Sequence, residues 1–424
     1  MSSRSRIRAA LVVLLTAAGL LAGQAAGATP SQPAGAGKGW TGTWASSMMR
    51  PSPGFEPNWS EEGFANHTVR QVVRVSAGGA AARVRLSNVF GTKPLKITGA
   101  TVARSAEGAS VRPESLRHLT FRHSRSVVLP PGREMASDPV PLRVSPLDSL
   151  TVTLYLPRAT GPATNHSFAN ATSYRASGDH SADPGGDAFT ETTQSWYYLA
   201  GVDVTGVPPR RDAVAAFGDS ITDGALSTAD ANNRYPDELA ELFASKGKPR
   251  GVLNAGIGGN RVLTDSPCLG ERATARFKRD VLDEPRVGTA VVLEGINDIG
   301  FGELEPSPDP CFSGGPDVTA AELIAGHREL IRQAHKRGTT VVGATLLPYK
   351  GAQYYSERGE AVRDQLNEWI RTSGAYDRVV DLDRIMAAPD DPDLLNPAYD
   401  SGDRLHPNDA GYHAMAVAIA PSLR

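Results

Sequence analysis

A chain of 424 residues exceeds the size at which a single hydrophobic core keeps growing, so two domains are expected. With 40% hydrophobic and 21% charged residues it is neither a disordered nor a membrane-embedded protein. A formal net charge of -2, with no Lys/Arg-rich run beyond the first residues, excludes a basic platform for nucleic acid.

Residues 1–28 read as a signal peptide. Arg4, Arg6 and Arg8 form its positive end, 9–22 its apolar stretch and Ala26-Gly27-Ala28 its small-residue cleavage site. The apolar stretch is too short for a comfortable transmembrane helix, and 29–38 is a Pro/Gly/Ala linker. Removing three arginines and no acid takes the formal charge from -2 to -5. The expectation is a secreted, extracellular protein with no stable membrane anchor after cleavage. Cys268 and Cys311 lack C-x-x-C spacing, and in an oxidising compartment they are expected to form one disulfide. Asn58, Asn66, Asn165 and Asn170 each open a glycosylation sequon.

From 39 to 205 the dominant period is two. Ala82, Val84 and Leu86 alternate with Arg83, Arg85 and Ser87, and Leu150, Val152, Leu154 and Leu156 alternate with Thr151, Thr153 and Tyr155. Further strands are expected at 69–76, 95–102, 126–129 and 196–204, separated by turn signals such as Ala77-Gly78-Gly79 and Pro130-Pro131-Gly132. The pattern predicts an all-β sandwich or jelly-roll accessory domain. Trp40, Trp44, Trp59 and Trp196 are either a sugar-stacking platform or core residues.

From 206 to 424 strands alternate with helices. Strands are expected at 212–217, 251–254, 289–293, 339–344 and 378–382, and helices at 235–246, 271–282, 319–337, 360–372 and 409–420. Thr319 and Glu322 form a capping box for the third helix, and Gly338 closes it. This is an α/β domain with a doubly wound, three-layer sheet. Gly256-Ile257-Gly258 starts like a dinucleotide fingerprint, but Arg261 stands where its third glycine should be. The nine histidines lack metal-ligand spacing, so neither a metal nor a cofactor is expected.

The loops after the strands carry the unusual residues: Gly218-Asp219-Ser220, 254–260, Glu294-Gly295-Ile296-Asn297-Asp298 and Asp403-Arg404-Leu405-His406-Pro407. All four converge on one edge of the sheet, where open parallel sheets bind ligands. Ser220 alone could simply cap the next helix. A serine becomes a nucleophile only when a base takes its proton, and the base needs a partner that fixes its tautomer. Asp403 and His406, three residues apart, can supply both from one turn of chain. The backbone N–H of Ser220, the N–H of Gly259 and the carboxamide of Asn297 are candidate donors to a developing oxyanion.

In these motifs the chain resembles the SGNH, or GDSL-type, hydrolases over about 212–424. The resemblance rests on Gly218-Asp219-Ser220, on Gly259, on Gly295-Ile296-Asn297-Asp298 and on Asp403-Arg404-Leu405-His406-Pro407. It implies a flavodoxin-like sheet, Ser220 as nucleophile, His406 as base, Asp403 as its orienting acid, and Ser220, Gly259 and Asn297 as oxyanion donors. The expected function is a secreted serine esterase acting on carboxylic esters through an acyl-enzyme. Acylated polysaccharide or lipid is the expected substrate class, with a tilt toward O-acyl groups on carbohydrate. The alternatives are a lipase or phospholipase of the same family and an inert glycan-binding protein.

Overall fold

The short apolar runs of the second half pair as one parallel sheet. A computed structural model describes residues 39–206, 212–305, 307–309 and 311–423. The expected signal peptide (1–28) and linker (29–38) lie outside the described residues. The sheet consists of β1 (Ala213–Gly218), β2 (Val252–Gly256), β3 (Val287–Leu293), β4 (Thr340–Ala344) and β5 (Arg378–Val380). Its order is β2-β1-β3-β4-β5, and every pairing is parallel. Successive strand residues point to opposite faces, and all six of β1 are buried, so both faces of the sheet are covered there. The chain steps from β1 outward to β2 and then back across to β3. The switch point between β1 and β3 is where such sheets open a crevice at the strands' carboxyl ends.

The helices are α1 (Ser220–Asp223), α2 (Tyr235–Ser245), α3 (Ala273–Phe277), α4 (Ile296–Phe301), α5 (Ala320–His335), α6 (Glu357–Thr372), α7 (Leu382–Met386) and α8 (Asp409–Ile419). α5 opens on the expected capping box: the Thr319 hydroxyl accepts from Glu322 N–H at 3.3 Å, and the Glu322 carboxylate from Thr319 N–H at 2.9 Å. The helix expected over 271–282 is not uniform. It is α-helical only at α3 and then widens into a π-helical turn, Lys278–Leu282, beside the buried pair Arg276 and Asp280.

In the first half, two sheets face each other. One has four strands in the order Trp40–Ala45, Leu199–Thr205, Ala81–Ser87, Glu134–Ala136. The other has six and centres on His67–Arg74 and Ser149–Leu156. Val84 and Val202 of the first and Val69, Val152 and Leu154 of the second share one core, as in a sandwich.

Two expected strands are each divided. Leu95–Ile97 pairs with Val127–Leu129, whereas Gly99–Arg104 joins Ser149–Leu156, so the chain changes sheets at Gly99. Tyr198, at φ +58°, separates Trp196–Tyr197 from Leu199–Thr205. An aromatic residue in the left-handed region leaves no trace in a hydrophobic pattern. The sugar-platform alternative is also corrected. Trp44, Trp59 and Trp196 are buried, with Trp44 edge-on to Trp196 at 4.8 Å and Trp59 stacked on Tyr197 at 5.5 Å. The Arg83 guanidinium covers Trp40 at 4.6 Å. Asn165 is fully buried as well, so its sequon is inaccessible in the folded chain.

Interior polar contacts join the halves. Arg85 donates to Glu284 at 2.7 Å, the Ser76 hydroxyl accepts from Val252 N–H at 2.8 Å, and Gly42 N–H donates to the Pro285 carbonyl at 3.2 Å. Buried charges paired in this way hold one arrangement, because separating them leaves each unpaired.

Candidate active site

β1 delivers the chain to Ser220 through a position that only glycine can fill. A Cβ on Gly218 would stand 2.1 Å from the Thr222 hydroxyl and 2.3 Å from the Leu293 carbonyl oxygen. The next residue, Asp219, is the N-cap of α1, its carboxylate accepting from Ile221 N–H at 3.0 Å. Capping is therefore done by Asp219 and not by Ser220. The Ser220 hydroxyl turns instead to His406, with Oγ 2.8 Å from Nε2.

His406 arrives on the loop between α7 and α8. Its Nδ1 lies 2.6 Å from Asp403 Oδ2, while Asp403 Oδ1 accepts from the N–H groups of Leu405 and His406 at 3.0 and 2.8 Å. Arg404, at φ +68°, closes this tight turn. A carboxylate facing Nδ1 places the ring proton there and leaves Nε2 to accept from the serine hydroxyl. Partial burial raises the Asp403 carboxyl, but the hydrogen bonds and charge of His406 outweigh it, and the net value falls to about 2.

Two further loops end beside Ser220. Gly259 sits at φ +74°, where a Cβ would also meet Leu269 at 2.7 Å. Asn297 lies in the first turn of α4, after Gly295 at φ +123°. Its Nδ2 donates to the Asn260 carbonyl at 3.1 Å and its Oδ1 accepts from the Tyr354 hydroxyl at 3.2 Å. The amide orientation is fixed from both ends, which leaves one Nδ2 hydrogen for the cleft. Ser220, Gly259, Asn297, Asp403 and His406 all line one cleft of about 890 Å³.

The disulfide joins Cys268 and Cys311 across 43 residues, with their Cα atoms 5.3 Å apart. It anchors Phe312 against the cleft. From the β-rich half come Phe55, 5.4 Å from Phe312 between ring centroids, and Phe168, 6.0 Å from Phe55.

Behind the loops, the buried Arg276 guanidinium donates to the carbonyls of Gly218 and Ala255 at 2.8 Å each and to Asn260 Oδ1 at 2.7 Å. It thereby fixes the ends of β1 and β2 relative to the glycine loop. Burial lifts the Asp219 carboxyl to about 7. It lifts Asp298 to about 6, although Asp298 accepts from Val262 and Leu263 N–H at 2.7 and 3.0 Å. Burial and the nearby Asp219 push Glu294 well above the usual carboxylate range. In all three the largest cause is burial, which disfavours negative charge beneath the serine, where it would oppose a developing oxyanion.

Sequence reasoning missed Arg276, Tyr354 and the three phenylalanines. Tyr354 had one usable signal, its place in the loop after β4, since a site at strand ends draws on successive loops. The others had none.

Residues 216–414 match the model of the GDSL-like Lipase/Acylhydrolase family. No curated protein matches the chain. Among solved structures, a GDSL-like lipase from Bacteroides thetaiotaomicron is similar at 19% identity, with 50% of this chain and 88% of that one covered and a TM-score of 0.37. A variant of an acetyl xylan esterase from Geobacillus stearothermophilus is similar at 21% identity, 50% and 95% coverage and a TM-score of 0.38. An alpha/beta hydrolase from the metagenome of Lake Arreo is similar at 22% identity, 50% and 95% coverage and a TM-score of 0.37. Residues 216–414 form a GDSL-like lipase/acylhydrolase domain, preceded in this chain by a β-rich region.

Proposed function

We propose that the protein is a serine esterase that cleaves carboxylic esters through an acyl-enzyme. The observation that carries this reading is the continuous relay Asp403–His406–Ser220, with spacings of 2.6 and 2.8 Å, opening into the cleft. As Ser220 Oγ attacks the ester carbonyl carbon, its proton passes to His406 Nε2, and Asp403 stabilises the imidazolium. The carbonyl oxygen, now negative, meets Ser220 N–H, Gly259 N–H and the free Nδ2 hydrogen of Asn297. His406 then returns the proton to the leaving alcohol. Water repeats the sequence on the acyl-serine and releases the carboxylic acid.

Phe55, Phe168 and Phe312 around the cleft favour an ester with an apolar acyl or alkyl part, which supports a lipase-type substrate over an acetylated carbohydrate. The disulfide, together with residues 1–28, supports export to an oxidising compartment.

Rates on p-nitrophenyl esters of increasing acyl length, run beside acetylated xylan and a phospholipid, test the reading. Turnover that rises with chain length is expected. A sharp optimum at acetate with activity on xylan returns the substrate to carbohydrate, and no turnover on any ester overturns the esterase reading.

A further inference from the structure

His166 belongs to the β-rich half, in the short strand Asn165–His166, yet its ring reaches the acylhydrolase domain. Its side chain is 3% exposed. Nδ1 lies 2.9 Å from the Ser47 carbonyl oxygen, and Nε2 lies 3.0 Å from Asp223 Oδ1 and 3.1 Å from the Phe168 carbonyl oxygen. A carbonyl oxygen can only accept. Both ring nitrogens must therefore carry a proton, and the ring is an imidazolium. The Trp196 indole stacks on it, with centroids 5.6 Å apart and planes at 29°, an arrangement that favours a cation.

The partner carboxylate does two jobs. Asp223 ends α1, the helix that begins with Ser220, and its Oδ2 accepts from Gly258 N–H at 2.9 Å. One side chain thus ties the helix bearing Ser220 to the loop bearing Gly259. Without the ring beside it that carboxylate would be a buried charge with no charged partner, and its charge is what makes the Gly258 bond strong. Other charged groups near the ring are already paired: Arg74 with Glu241, Arg234 with Asp237, and Arg276, which reaches the Ser47 hydroxyl at 3.3 Å, with Asp280.

We propose that His166 is a positioning residue, held as an imidazolium, that fixes through Asp223 the spacing between the Ser220 and Gly259 backbone donors. The β-rich half thereby completes the catalytic geometry, a role that rests on the esterase reading. Burial opposes the charge on His166, but Asp223 outweighs it and the pKa is raised above the ordinary 6.5.

The test has two arms. In the full chain labelled with ¹⁵N-histidine, both ring nitrogens of His166 are expected to remain protonated at about pH 7, where a free imidazole is mostly neutral. The signal is identified by its loss in His166→Gln, and Asp223→Asn is expected to convert the ring to a neutral tautomer. A neutral ring in the wild type at that pH overturns the imidazolium. In kinetics, His166→Ala and His166→Gln are expected to lower kcat by about tenfold to a hundredfold, the range for a misplaced reacting group, with KM changed less than about twofold. The glutamine variant serves if alanine does not fold. A folded His166→Gln protein with unchanged kcat overturns the positioning role. Wild-type protein without esterase turnover overturns that role along with the esterase reading, while the NMR arm decides the charge state separately.

Discussion

Replacing Asn297 by alanine separates a transition-state contact from a structural brace. In the ground state the side chain makes two hydrogen bonds, to Asn260 at 3.1 Å and from Tyr354 at 3.2 Å. At about 1 kcal/mol each, plus a small cavity, their loss costs about 2–3 kcal/mol of stability. With about 2–4 °C of melting temperature per kcal/mol in a body of this size, the melting point falls by about 4–12 °C. Native stabilities of about 5–15 kcal/mol absorb that, so the variant is folded at room temperature. The oxyanion donor is worth about 2.7–4 kcal/mol in the transition state, so kcat falls roughly a hundred- to thousandfold while KM holds. Tyr354→Phe is the control: it removes one bond but no donor, so kcat falls only about fivefold. Both variants are assayed on p-nitrophenyl acetate, with competent sites counted by fluorophosphonate titration and melting followed on the same preparation. A kcat per labelled site within about threefold of wild type, beside a lowered melting point, would make Asn297 a brace only and refute the donor assignment.

Ser220→Ala and His406→Ala should each abolish turnover, and the double variant should lose little more, because both remove the same proton-coupled attack; additive losses on a common assay would contradict this. Asp403→Asn should cut kcat roughly ten-thousandfold, since the amide no longer enforces the Nδ1 tautomer. Asp403 is held at about 2 against 3.8 for the free group, so its stabilisation is present above 3.8 and is lost as pH falls through 2. The gap in urea midpoint between wild type and Asp403→Asn should close toward pH 2, its size below about 1 kcal/mol because the side chain is 38% exposed; a constant gap counts against the pairing. Cys268→Ser with Cys311→Ser should cost about 4 kcal/mol in the chain-entropy model for a 43-residue separation, read by denaturant midpoint. Thiol titration of the denatured, unreduced protein should find no free thiol. Phe55→Ala should raise KM for long-chain esters and leave acetate unaffected; equal effects on both would remove Phe55 from the substrate's path.

The parallel sheet was legible because strands covered on both faces leave uninterrupted apolar runs, of which Ala213–Gly218 is the clearest. The capping box of α5 was legible because it is written in four consecutive residues. The candidate site residues stood out for a related reason: each sits in a short local motif, three of the motifs just after strands and the Asp403–His406 turn on the loop between α7 and α8. What stayed hidden was set by distant partners. Arg276 meets Gly218, Tyr354 meets Asn297 and His166 meets Asp223 across 57 or 58 residues, and no local pattern encodes such meetings. The breaks at Gly99 and Tyr198 were hidden because the β pattern runs on through them while the backbone changes sheets. Secondary structure follows local chemistry, whereas the supports behind the site follow tertiary packing.

The acyl-enzyme itself offers the most direct measurement. Rapid mixing with p-nitrophenyl acetate, acid quenching and peptide mass analysis should find a burst of about one nitrophenol per site and one acetyl group on the peptide containing Ser220. The group should be absent from Ser220→Ala. Turnover with no acylated Ser220, or with the acetyl group on another residue, would contradict the account.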